Sequence, residues 1–180
     1  MRKRIGTAIV ATVIGLDGAL AIGVPASAES TTGEPAPVVA PAPNTLGPDG
    51  YKSLLLGMSE QQAVATGLLV DRQDLGGCVA YYFAPSEGTM SRASGVLISP
   101  ENGVFDIGAT SLMTTAQGIT RGSTVDQLRA AYPDLQQDPE MDFIHHANVP
   151  GSHVAVFDFV VDNGEVTDIH LRISGTHCGS

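Results

Sequence analysis

The sequence predicts an α+β fold made by tandem duplication: a helix followed by three antiparallel strands, then the same again, with the helices packed on one face of an antiparallel sheet. Two observations predict it. LGMSEQQAVATGLL from Leu56 and RGSTVDQLRAAYPD from Arg121 align at a constant offset of 65, which sets Gly57 on Gly122, Ser59 on Thr124 and Gln62 on Gln127. Each opening then leads into strand-like stretches whose last pair turns on Asn-Gly, at Asn102-Gly103 and at Asn163-Gly164. The two repeats run over about residues 51–110 and 115–178.

The chain opens with Arg2, Lys3 and Arg4, an apolar run from Ile5 to Leu16, and the small residues Ala26-Ser27-Ala28, the pattern of a cleaved signal peptide over residues 1–28. Asp17 interrupts the run and Pro25 ends it, short of the roughly 20 unbroken apolar residues of a membrane anchor. No cysteine lies near the cleavage region to take a lipid, so the product is expected outside the cell with no membrane span after cleavage. Residues 29–48 carry prolines among alanines and threonines with almost nothing large to bury, a flexible segment. Residues 49–180 are then one α+β domain, with the folded part beginning near Tyr51.

Ser59 with Gln62, and Thr124 with Gln127, each fit a capping box, in which the hydroxyl accepts from a first-turn amide and the Gln reaches back to the cap residue. Ala63, Val64 and Leu68 share one face of the first helix; Val125, Leu128 and either Ala131 or Tyr132 share one face of the second. Gly67 weakens the end of the first and Pro133 stops the second, so both helices are short and depend on packing against a sheet. In the first copy the strands are Cys78 to Phe83, Ser94 to Ile98 and Gly103 to Ile107, the last two joined by the turn at Pro100 to Gly103. A loop from Gly108 to Gly118 separates the copies. In the second copy Phe143 to Ala147 is the first strand; Ala155, Phe157, Phe159 and Val161 then share one side of Val154–Val161, and Thr167, Ile169, Leu171 and Ile173 one side of Val166–Ile173.

The stretches LGMSEQQAVATGLL and GITRGSTVDQLRAAYP resemble the glycine, small polar residue, helix openings of the tandem-repeat beta-lactamase inhibitory protein fold and of the related outer-membrane assembly small lipoprotein fold. The resemblance covers most of Leu54 to Cys178. It implies a binding-type fold, because the inhibitors are secreted actinobacterial proteins whose concave sheet face grips a beta-lactamase. The chain departs from that pattern in having one possible disulfide where the inhibitors have one in each repeat, and no Trp for an aromatic grip. The inhibitor's contact residues do not match position by position, so none is carried over.

Without the leader the chain holds six basic and eighteen acidic residues, a formal net charge of −12 with His neutral. Such a charge repels nucleic acid and anionic lipid. Cys78 and Cys178 are the only cysteines, and in an exported chain an even pair is expected to be bridged. That bridge ties the first strand of one copy to the end of the other. No Gly-x-Ser-x-Gly, Ser-x-x-Lys, His-Glu-x-x-His or phosphate-loop motif is present, and Ser152-His153 after Pro150 is turn composition. All five histidines, His145, His146, His153, His170 and His177, fall in the last 36 residues. His145 or His146 near His170 and Asp168 would offer donors that zinc or copper takes. None of them sits at helical i, i+4 spacing, however, and adjacent histidines in a strand point to opposite faces, so neither a metal nor a cofactor is predicted.

The candidate binding surface is the outer sheet face. Val166, Asp168, His170 and Arg172 alternate outward on the last strand beside Val156 and Asp158 on its partner, and one of Tyr81 and Tyr82 adds a rigid aromatic contact. The expected function is a secreted module that binds an extracellular protein, an inhibitor of an extracellular enzyme and not itself an enzyme. The alternatives are a passive cell-envelope or spore-surface structural protein, and a small secreted hydrolase.

Overall fold

Both helices begin where their caps dictate. The computed structural model describes residues 42–91 and 95–178, so the expected signal peptide, residues 29–41 of the expected flexible segment and Ser94 lie outside the described residues. Ser59 Oγ accepts from the Gln62 amide at 3.3 Å while Gln62 Oε1 accepts from the Ser59 amide at 2.9 Å. Thr124 and Gln127 repeat the exchange at 3.2 and 2.8 Å. The helices are α1 (Glu60–Ala65) and α2 (Val125–Ala131).

Three short strands precede α1: β1 (Thr45–Leu46), β2 (Gly50–Tyr51) and β3 (Leu54–Leu55). Between the helices run β4 (Leu69–Asp74), β5 (Val79–Phe83), β6 (Val96–Ser99), β7 (Gly103–Gly108) and β8 (Thr114–Thr115). After α2 come β9 (Gln136–Gln137), β10 (Ile144–Asn148), β11 (Ala155–Asp162) and β12 (Glu165–Ile173). One sheet has four strands in the order β3-β2-β1-β8, and the other eight in the order β4-β5-β6-β7-β12-β11-β10-β9. In the small sheet β1 runs parallel to β8 and antiparallel to β2, whereas the large sheet is antiparallel throughout.

This architecture corrects the tandem reading. The described chain is a mostly β domain of two unequal sheets with two short helices, and not a symmetric helix-then-three-strand repeat. The stretches Leu69–Asp74 and Gln136–Gln137 carry too many polar residues to read as strands, yet they are the two edges of the large sheet. Pairing to β5 and β10 satisfies the inward row of their backbone groups whatever the side chains, and polar edges are how sheets avoid adding further strands. The small sheet consists of two-residue strands, below the length at which alternation can be read. It takes β8 from the expected inter-copy loop and β1 from within residues 29–48, where Leu46 is buried in the core. The resemblance to the inhibitor and small-lipoprotein folds is corrected with it, since neither the second sheet nor its parallel pair belongs to two equal repeats.

The core lies on one face of the large sheet. Tyr81, Phe83, Val96, Ile98, Ile107, Phe157, Phe159, Ile169 and Leu171 from its strands join Leu46, Tyr51 and Leu54 of the small sheet in one cluster. Complete burial of such side chains contributes about 1.5–3 kcal/mol each. Tyr51 meets Phe83 edge to face at 5.5 Å between centroids. Its hydroxyl donates to buried Glu87 at 2.8 Å, and Lys52, also bonded to Glu87, holds that carboxyl below the usual range. At the C-terminal end of α2, Tyr132 packs against Phe157 and Phe159 at 5.8 and 5.2 Å, and burial pushes its phenol up to about 12. Cys78 and Cys178 form the expected disulfide with Cα atoms 5.4 Å apart, fastening the start of β5 to the chain beyond β12. Among the described residues no helix is long and apolar enough to cross a membrane.

Candidate functional site

Strand alternation sends every second side chain of the large sheet away from the core, and on β10, β11, β12 and β7 those side chains include His146, Asp158, His170, Arg172 and Asp106 among apolar neighbours such as Val156 and Val160. His146, Asp158 and His170 lie directly opposite one another on β10, β11 and β12. One register step along, Arg172 on β12 is opposite Asp106 on β7. The result is a strip across four neighbouring strands, held by its own ion pairs. His170 Nδ1 is 2.9 Å from Asp106 Oδ1. His146 lies between two carboxylates, with Nδ1 2.6 Å from Asp158 Oδ1 and Nε2 2.8 Å from Asp138 Oδ2. Arg172 Nε donates to the other oxygen of Asp158.

The carboxylates set the charge state of the strip. Burial alone would lower the His170 pKa, but the hydrogen bond to Asp106 and the fields of Asp106, Asp168 and Asp158 outweigh it and hold the imidazole above the ordinary histidine value. His146 is likewise raised: burial and Arg172 oppose its charge, and the bonds to Asp138 and Asp158 prevail. In return His146, with the amides of Glu140 and Met141, lowers Asp138 to about 2. The side chains of the strip remain between 13 and 29 % exposed, open to a partner yet restrained in rotamer.

Of the residues expected from sequence, Asp158, His170 and Arg172 meet in this strip. Asp168 sits on the same face but is buried, with one oxygen accepting from Ser91 and Oδ1 without a partner among the described residues. Tyr82 is half-buried on the outer face of β5, three strand spacings or about 14 Å from β12. Tyr81 turns inward, where its hydroxyl donates to Glu60 at 2.7 Å, so it contributes to the core and not to the strip. Val166, expected outward, is buried, because β12 gains one residue against β11 at Val160/Val161 and the bulge reverses the alternation before Asp168. Thr167, expected inward, is exposed for the same reason.

Sequence reasoning missed Asp106, Asp138 and the part played by His146. Asp106 leaves a signal, a lone acid in the apolar run GVFDIG, but its partner is 64 residues away. Asp138 leaves none, since it reaches the strip from the loop between β9 and β10. On the helix side of the sheet a groove of about 630 Å³ opens between the start of α1, the turn before β7 and Cys78. Within it Glu60 accepts from Arg72 at 2.7 Å. Among the described residues no group of three or more His, Cys, Asp or Glu is placed to hold a metal ion.

No protein-family model, no curated protein and no solved structure matches this chain.

Proposed function

We propose that the chain is a secreted protein-binding module whose outer sheet face engages an extracellular protein, inhibiting an extracellular enzyme by covering it. The observation that supports this reading is the charged strip on β10, β11, β12 and β7, in which each side chain is oriented by a neighbour on a hydrogen-bonded strand. Groups already restrained lose little rotamer entropy on binding, and fixed charges of both signs select a complementary partner. Arg172, and Tyr82 on the same face, are the residue types that carry much of the energy in protein interfaces.

The test is capture by the immobilised full chain, disulfide intact, from the producer's own secreted proteins and from a panel of secreted hydrolases. The expected result is a stoichiometric partner whose activity falls on binding. Affinity should fall about tenfold or more for Arg172→Ala and for His170→Ala, the size of an interface hot spot. No partner at micromolar bait would overturn the binding reading. A partner bound equally well by the Tyr82→Ala, His170→Ala and Arg172→Ala variants would overturn the site.

A further inference from the structure

We infer that His146 is a proton-operated clamp: as a doubly protonated imidazolium it fastens the Asp138 end of the loop between β9 and β10 to Asp158 on β11, and loss of one proton lets that end go. The inference rests on both ring nitrogens having carboxylate oxygens within hydrogen-bond distance, Asp158 Oδ1 at 2.6 Å and Asp138 Oδ2 at 2.8 Å. A neutral imidazole carries one N–H and one lone pair, so it satisfies one carboxylate and turns a lone pair on the other. Only the imidazolium donates to both. The proton does not reside on Asp138 instead, because three donors, His146 and the amides of Glu140 and Met141, keep that carboxyl ionised down to about pH 2.

The loop is organised around the same aspartate. Asp138 Oδ1 accepts from the Glu140 and Met141 amides at 2.9 Å each, and the Asp138 amide donates to the Ile144 carbonyl at 2.9 Å. Asp158, by contrast, sits on a central strand and is also held by Arg172. When the ring loses a proton, the Asp158 contact is therefore the one retained and Asp138 the one released. The charged and titratable groups around His146 are Asp138 and Asp134 from the chain flanking β9, Asp158 on β11, Arg172 on β12 and the titratable His145 beside it on β10. The Phe143 carbonyl stays on β11 through the Val161 amide at 2.7 Å, so release frees the Asp138 end of the loop and shifts the exposed Met141 beside the charged strip.

The pH window follows from the two shifts. His146 is raised, so its share of the stabilisation is complete below the unfolded value of about 6.5 and is lost as pH climbs through the folded value. Asp138 is lowered, so its share is present above about 4 and is lost as pH falls toward 2. The clamp is closed between those limits.

Proton and nitrogen NMR of the full chain, disulfide intact, tests this directly. Across a pH titration we expect a His146 midpoint above 6.5, two imidazolium-type ring nitrogens at about pH 5, inside the closed window, and Glu140 and Met141 amide signals that move with the same midpoint. Asp138→Asn should lower that midpoint and uncouple the two amides from it. A midpoint at or below 6.5, a neutral tautomer at about pH 5, or loop amides indifferent to the His146 transition would each overturn the inference. The unsubstituted chain alone decides this if the variant does not fold.

Discussion

His145 and His146 are adjacent in sequence and opposite in environment. The alternation of β10 turns His145 into the core and His146 onto the charged face, as two adjacent histidines in a strand must divide. His145 is buried with Nδ1 unpartnered among the described residues, and its pKa is lowered by burial first and then by Arg129 and His146, which favours the neutral ring. An apolar replacement removes that unmet polar atom. We therefore expect His145→Leu to leave urea stability unchanged or raise it by about 1 kcal/mol; a clear loss would show that the ring makes a bond the geometry does not contain. At this scale the split of the histidines is legible in the amino-acid sequence, whereas the choice between Tyr81 and Tyr82 is not. Both tyrosines suit either face, and Glu60, the acceptor that takes the Tyr81 hydroxyl, lies 21 residues earlier on α1.

The two helices show how much a local signal decides. Each cap and its Gln lie within four residues, so the capping boxes could be read from the chain and both are present. With only seven residues, α2 has little stability of its own and relies on the cap and on Leu128 and Tyr132 against the core. Thr124→Ala should cost about 1 kcal/mol in chemical denaturation, with the native sheet signal retained in the folded baseline. The hairpin of β11 and β12 was legible for the same reason: Asn163 and Gly164 adopt φ of 51° and 83°, the left-handed pair that a two-residue turn between twisted strands demands. The facing of β12 was only half legible. Ile169 and Leu171 point inward as their period implies, but one extra residue reverses the pattern at Thr167 and Val166, and a bulge leaves no mark in an alternating sequence.

For the whole molecule the disulfide is the longest covalent constraint, closing a separation of 100 residues. In the chain-entropy account such a loop contributes about 4–5 kcal/mol by restricting the unfolded state, so the Cys78→Ser, Cys178→Ser double variant should lose that much in denaturant titration. A loss below about 1 kcal/mol would mean that the unfolded chain already keeps these ends together. The amino-acid sequence by itself determined the starts of both helices, the β11 to β12 turn and the pairing of the only two cysteines, because caps, tight turns and a lone cysteine pair are specified by residues whose chemistry admits few alternatives. Only the tertiary structure decided the number of strands, their division into sheets of four and eight, and the assembly of the strip from Asp106, Asp138, His146, Asp158, His170 and Arg172. Those outcomes rest on backbone and side-chain partners brought together from distant parts of the chain. A two-residue strand such as Thr45–Leu46, or a polar edge such as Gln136–Gln137, exists because a neighbouring strand completes its hydrogen bonds, and no residue within it announces that neighbour.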